Sequence, residues 1–205
     1  MSSNAFEVLH ALKVKGLAGD AVLAAMTGLD ADELSGVVAE LVDAGFAVRK
    51  DGPRLAGTMI TPAGRGEHDR LAAANPLDDA AVQSVSEFYA AFGPINTDFK
   101  AICASWQLRL DGTPNDHTDV DYDAGVISAL GDAHRRVSKE LATVGTSVVR
   151  LARYAPRLDS ALAKVRGGDN AAFARPMYDS YHDIWMELHQ DLLLTVGRER
   201  GTGDA

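Results

Sequence analysis

One cysteine, Cys103, stands among 205 residues. An intramolecular disulfide is therefore impossible, and the cytoplasm is the expected compartment. Aromatic residues make up only 6% of the chain. No apolar run approaches the ~20 residues that span a bilayer, so no membrane partner is expected. The opening stretch MSSNAFEVLH has no basic segment followed by an apolar one, so no signal peptide is expected. The phosphate-cradling G-x-x-x-x-G-K-[ST], the dinucleotide G-x-G-x-x-G after a strand and the nucleophile elbow G-x-S-x-G are all missing. With them go the usual grounds for expecting a cofactor or a catalytic set.

What is present is an ordinary globular composition, 46% apolar and 24% charged, with a net charge of −9. Residues 1–75 carry 7 basic and 10 acidic side chains, and the remainder 13 and 19. Neither part is a basic domain, which counts against nucleic acid as the partner without excluding a local patch.

The fold class read from the pattern is mainly α, with an N-terminal winged helix-turn-helix and small β-wing over 1–75, then a four- or five-helix bundle over 76–205. Phe6, Leu9, Leu12 and Val14 give a first helix. Ala21–Met26 gives a second, with Asp20 as its cap and Gly28 in the following turn. Asp30 caps a third, with Glu33 at capping-box spacing and Leu34, Val37, Val38, Leu41 and Val42 as its buried stripe. Phe46–Val48 and Thr58–Ile60 alternate as two short strands around Asp51-Gly52-Pro53. Thr61-Pro62 opens another helix, Thr as cap and Pro at the first helical position.

The order of these elements, carried by Leu29–Gly45, the wing Phe46–Ile60 and Thr61-Pro62-Ala63-Gly64-Arg65, resembles the MarR-type winged-helix family. The resemblance implies a DNA reader, a ligand-responsive transcriptional regulator in which Ser35 of the recognition helix and Arg49, Lys50 and Arg54 of the wing contact DNA. The chemistry objects. The would-be recognition helix, Ala31–Ala44, carries Asp32, Glu33, Glu40 and Asp43 and no Lys, Arg, Asn or Gln. Base readout needs donors there, and affinity needs cations near phosphate. The bland reading of the three wing cations is a solvated hairpin.

After a linker at Asn75–Asp79 everything reads helical. Ala80–Phe92 is one helix, ended by Gly93-Pro94, and Ile95, Phe99, Ile102, Trp106 and Leu110 mark a second. A polar loop runs from Asp111 to about Asp121. Val126 to Leu151 then forms a seam of more than three heptads, the spine of a bundle. Pro156 interrupts it, Gly167-Gly168 stops the next helix, and Arg175-Pro176 opens the last one, reaching about Gly197. Cys103, on a helix flank, reads as packing.

Two polar segments hold the candidate residues. In Asn115–Asp123, D-x-D-x-D suggests a calcium loop, but Ala124 stands where glycine is needed and Leu130 where glutamate is needed. A solvated loop with Asp119 or Asp121 capping a helix is preferred, and no metal is expected. In Asp179–His189, Asp179, His182, Met186 and His189 share one helix face. Two histidines seven apart are about 10.5 Å apart along the axis, too far for one ion. The sharper reading is a small-molecule pocket using Trp106, Asp116, His117, Asp179, His182, Trp185 and His189.

His10–Ala18 and Asp179–Leu192 also resemble segments attached to, or encoded beside, actinobacterial phosphoenolpyruvate-utilising phosphotransfer enzymes. That resemblance implies an accessory protein with such an enzyme as its partner and the winged helix as a docking module. A homodimer is the other partner to expect. A free-standing enzyme relying on His182 has the least support.

Overall fold

The computed structural model of the protein describes residues 3–52 and 56–197, so Pro53 and Arg54 lie outside the described residues. The chain is mainly helical with one small antiparallel sheet, and it divides into two compact units, Met1–Asp78 and Asp79–Ala205.

The first unit is organised around α1 (Ser3–Lys15), whose Val8, Leu9 and Leu12 are fully buried. They pack with Leu23 of α2 (Asp20–Thr27), with Leu34, Val38 and Leu41 of α3 (Ala31–Asp43), and with Leu71 of α4 (Pro62–Ala74). The two capping signals of α3 and α4 are realised. Asp30 accepts from the Glu33 amide, and Glu33 reaches back to the Asp30 amide. Thr61 accepts from the Gly64 amide, with Pro62 as the first helical residue. The start of α2 differs from its expected form. Gly19 is the cap, and Asp20 is the first helical residue, its carboxylate held by Arg49.

The sheet has three strands, not two, in the order β1-β3-β2: β1 (Leu17–Ala18), β2 (Ala47–Asp51) and β3 (Ala56–Ile60). A two-residue strand is too short for an alternating pattern. β1 exists because β3 offers it a partner edge, with Leu17 opposite Met59 and Ala18 opposite Thr58.

Where α4 meets α1, a polar chain starts at buried His10 and His68 and ends on exposed Asp69. His10 Nδ1 lies 3.0 Å from His68 Nε2, His68 Nδ1 lies 2.9 Å from Asp69 Oδ1, and Lys13 Nζ sits 3.2 Å from the same ring nitrogen. Phe6 covers both rings at 5.5 and 5.2 Å. Burial, with some help from His10 and Lys13, lowers the His68 pKa to about 4. The unfolded imidazole takes its proton near 6.5, so folding stability is fully present above that pH and is lost as pH falls from 6.5 towards 4. A shift of that size corresponds to roughly 3 kcal/mol. Denaturant titrations are expected to show lower stability at pH 4 than at pH 7, and His68→Gln to lose measurably less over that interval. An equally steep loss in His68→Gln would assign it to other groups.

The second unit is built from α5 (Asp79–Gln107), α6 (Val120–Val144), α8 (Tyr154–Arg166) and α10 (Tyr181–Thr195), with short α7 (Val149–Ala152) and α9 (Ala171–Ala174) between them. Four sequence expectations are corrected. First, Gly93-Pro94 does not end a helix. α5 runs through Pro94, because Phe92, Ile95 and Phe99 continue one buried face and their packing outweighs the ~3 kcal/mol a helix-interior proline costs. Second, the long seam is not one helix. α6 ends at Val144, and a Cβ at Gly145 would lie 2.6 Å from the Ala152 Cβ, so the tight turn into α7 needs a glycine there. Third, Pro156 falls in the first turn of α8, where its missing amide hydrogen costs nothing. Fourth, the last helix begins at Tyr181 rather than at Arg175-Pro176. Ser180 accepts from the Asp183 amide and sets that start. Among the described residues, no helix is long and apolar enough to cross a membrane.

Candidate functional site

The residues singled out by sequence do not converge on one pocket. They fall into separate clusters of the second unit. Trp106 closes the C-terminal end of α5. Its ring stacks on Phe173 at 4.3 Å and 2°, and the His117 ring lies 4.3 Å from it on the loop before α6. His117 adopts a positive φ of 61°, which brings its Nδ1 to 3.0 Å from Asp123 Oδ2. Asn115 locks the arrangement, donating to Asp123 Oδ1 at 2.8 Å and to the Trp106 carbonyl at 3.2 Å. His117 Nε2 has no hydrogen bond among the described residues. Asp123 and Asn115, both buried, carry this cluster.

Asp116 takes no part in it. Its carboxylate accepts from the Thr118 hydroxyl at 2.7 Å and the Thr118 amide at 3.1 Å, which lowers its pKa. Asp119 caps α6 through the Tyr122 amide and pairs with Arg109 at 3.0 Å. The loop carboxylates are thus committed to caps, turns and Arg109. Among the described residues no group of three or more His, Cys, Asp or Glu is placed to hold a metal ion.

Trp185 sits at another level of the core. Its ring stacks on Phe99 at 4.3 Å and Phe92 at 5.0 Å, and its Nε1 donates to Asn96 Oδ1 at 2.8 Å. His182 stacks on Phe99 at 6.1 Å and His189 lies 5.3 Å from Phe92. Trp106 is seven residues beyond Phe99, about 10 Å further along α5. The tryptophans therefore belong to different layers, and a pocket lined by Trp106, Trp185, His182 and His189 is not formed. Burial lowers the His182 pKa, so its neutral form is the stable one in this apolar setting.

Asp179 leads to what sequence reading missed. Its Oδ1 accepts from Arg157 at 2.5 Å, and the same guanidinium donates to Glu187 Oε2 at 2.7 Å. Nearby, Arg150 Nε donates to Asp191 Oδ1 and the Tyr154 hydroxyl to Asp191 Oδ2, both at 3.1 Å. Arg150 also reaches the Thr195 hydroxyl. Arg157, Glu187 and Asp191 are all buried. Burial alone would lower the Arg157 pKa, but Glu187 and Asp179 outweigh it and hold the guanidinium charged. The sequence signal was Glu187 and Asp191, four apart and each flanked by apolar residues, Met186 and Leu188 for one and Leu192 for the other. Two carboxylates on the buried side of a helix call for buried cations.

A further polar trio is not a nucleophilic site. His134 Nε2 faces Asp159 at 2.9 Å and Ser138 at 3.4 Å, so both share one ring nitrogen, whereas a triad needs them on opposite ones. The Tyr181 hydroxyl, on Nδ1 at 3.2 Å, is fully buried, and burial raises its pKa. Cys103 is likewise pushed up to about 12 by burial, so it stays a thiol.

In the first unit, α3 exposes Asp32, Glu33, Glu40 and Asp43 together with Ser35. Arg49 Nη1 on β2 donates to both Asp20 carboxylate oxygens, at 2.8 and 3.1 Å, and Lys50 beside it is exposed. Arg54 falls outside the described residues. Comparison of the chain with protein-family models, curated proteins and solved structures finds no match.

Proposed function

We propose that this chain is an accessory or regulatory protein rather than an enzyme in its own right. In this reading the first unit is a winged helix that docks a protein partner, and the second is a helical bundle that binds a ligand or that partner. The observation that carries it is the exposed face of α3: four carboxylates, no cation and one serine. A DNA duplex carries one charge per about 1.7 Å of axis and would be repelled by that face. The pairing of Arg49 with Asp20 supports the same reading, because a cation already held by a carboxylate releases little on meeting phosphate. A phosphoenolpyruvate-utilising phosphotransfer enzyme is the partner suggested by His10–Ala18 and Asp179–Leu192.

The second reading, a ligand-responsive MarR-like regulator acting as a homodimer in the cytoplasm, draws on the hairpin β2–β3 and exposed Lys50. A salt-titrated binding assay separates the two, using DNA from the chain's own upstream region against scrambled DNA. Weak, sequence-blind binding that disappears by physiological salt is expected. Tight, selective binding at that salt overturns the docking proposal. In the complementary arm, Glu40→Lys with Asp43→Lys is expected to abolish association with the purified phosphotransfer enzyme.

A further inference from the structure

Between the C-terminal part of α5 and the first turns of α6 lies an open cavity of about 400 Å³, within the range of small-molecule sites. Its walls are small: Ala101 and Ser105 from α5, Gly125 and Ala129 from α6. A Cβ built at Gly125 meets nothing within 4 Å. Leu110 is at its edge and is 99% exposed, and Val120 nearby in sequence is 76% exposed. The cavity uses none of Trp106, His117, His182, Trp185 or His189.

Of the residues that line it, Asp121 alone carries a charge at neutral pH. Five aspartates, Asp111, Asp116, Asp119, Asp121 and Asp123, fall within residues 109–123, against one arginine, Arg109. Four of the five are engaged: Asp111 by Thr113, Asp116 by Thr118, Asp119 by Tyr122 and Arg109, and Asp123 by Asn115 and His117. Asp121, which lines the cavity, has no side-chain hydrogen bond among the described residues. Tyr122 closes one side, its ring already engaged by the Arg109 guanidinium at 5.1 Å, whose charge is met by Asp119 and Asp116. An apolar trough edged by one uncommitted carboxylate selects against anions and for a positive head on a short apolar body.

The geometry points to this cavity as a binding site for a small organic cation, with the apolar body on the Ala101–Ala129 floor and the ammonium paired to Asp121. The proposal concerns the second unit alone and stands whether or not α3 docks a partner. The full-length protein is titrated with octyltrimethylammonium, 1-octanol and octyl sulfonate, below micelle formation, with amide chemical shifts as the readout. The cation is expected to perturb residues 101–105 and 121–129 and to bind about tenfold tighter than the sulfonate, the sum of one attraction gained and one repulsion avoided. Asp121→Asn is expected to weaken cation binding about three- to fivefold and leave octanol unchanged. Ala129→Phe fills the cavity and is expected to abolish binding, and Gly125→Leu provides a second filler should the first fail to fold. Equal affinity for cation and sulfonate, perturbations elsewhere, unchanged binding in a folded filler variant, or no binding of the cation each overturn the proposal.

Discussion

Arg157→Met is expected to destabilise the second unit by about 3–5 kcal/mol, the cost of taking one cationic partner away from a buried carboxylate. The residue left behind is Glu187, 5% exposed, whose Oε2 lies 2.7 Å from the lost guanidinium. Asp179, the other partner, is more exposed and can turn to water, so most of the effect comes from Glu187. For a unit of this size the thermal midpoint is expected to fall by roughly 10–15 °C. The pair itself contributes far less than its rupture costs, since desolvation offsets most of its attraction. The double variant Arg157→Met with Glu187→Met is therefore expected to recover more than half of the loss. A single-variant loss below 1 kcal/mol would mean that water reaches Glu187 and that the network is not closed.

Gly64→Ala and Gly66→Ala are expected to move stability in opposite directions, though they sit two residues apart on α4. A Cβ at Gly64 would lie 2.0 Å from the Phe46 carbonyl oxygen and 2.9 Å from Ile60, whereas at Gly66 it meets nothing within 4 Å. The Phe46 carbonyl cannot retreat easily, because it accepts from the Thr61 amide at 3.0 Å, the bond that ties the start of α4 to the start of β2. Gly64→Ala is expected to cost about 3 kcal/mol or more, or to prevent the first unit from folding. Gly66→Ala is expected to add about 0.5–1 kcal/mol through helix propensity. Chemical denaturation followed by far-ultraviolet circular dichroism decides the matter. A tolerated Gly64→Ala would show that α4 can slide away from the sheet.

What could be read from sequence was what is encoded locally. The Asp30–Glu33 and Thr61–Gly64 caps lie three residues apart, and the stripe from Leu34 to Leu41 spans two turns. What escaped depends on partners far along the chain. Pro94 reads as a helix end until Phe92, Ile95 and Phe99 are seen to share one buried face. β1 has no pattern of its own and exists only against Met59 and Thr58. The candidate site fared similarly. Trp106 and His117, eleven apart and joined by a loop, do meet, whereas Trp185 packs on Phe99, two turns short of Trp106 on a helix that sequence reading had cut in two. Arg157 and Glu187 are thirty residues apart, and no period or motif joins them before the fold does.

The division into two units has an optical consequence. Both tryptophans and all five tyrosines, Tyr89, Tyr122, Tyr154, Tyr178 and Tyr181, lie beyond Asp78, and the first unit holds only Phe6 and Phe46 as aromatic chromophores. Excited at 295 nm, as is usual for tryptophan (roughly the red edge of its absorption), the protein emits from the second unit alone. Trp185, stacked between two phenylalanines and bonded to Asn96, makes that emission a gauge of the α5–α10 core. Melting of the first unit is dark in tryptophan emission but visible in far-ultraviolet dichroism through α1–α4. A thermal scan by fluorescence and one by far-ultraviolet dichroism will coincide only if the two units unfold together, so any gap between the curves measures their independence without cutting the chain.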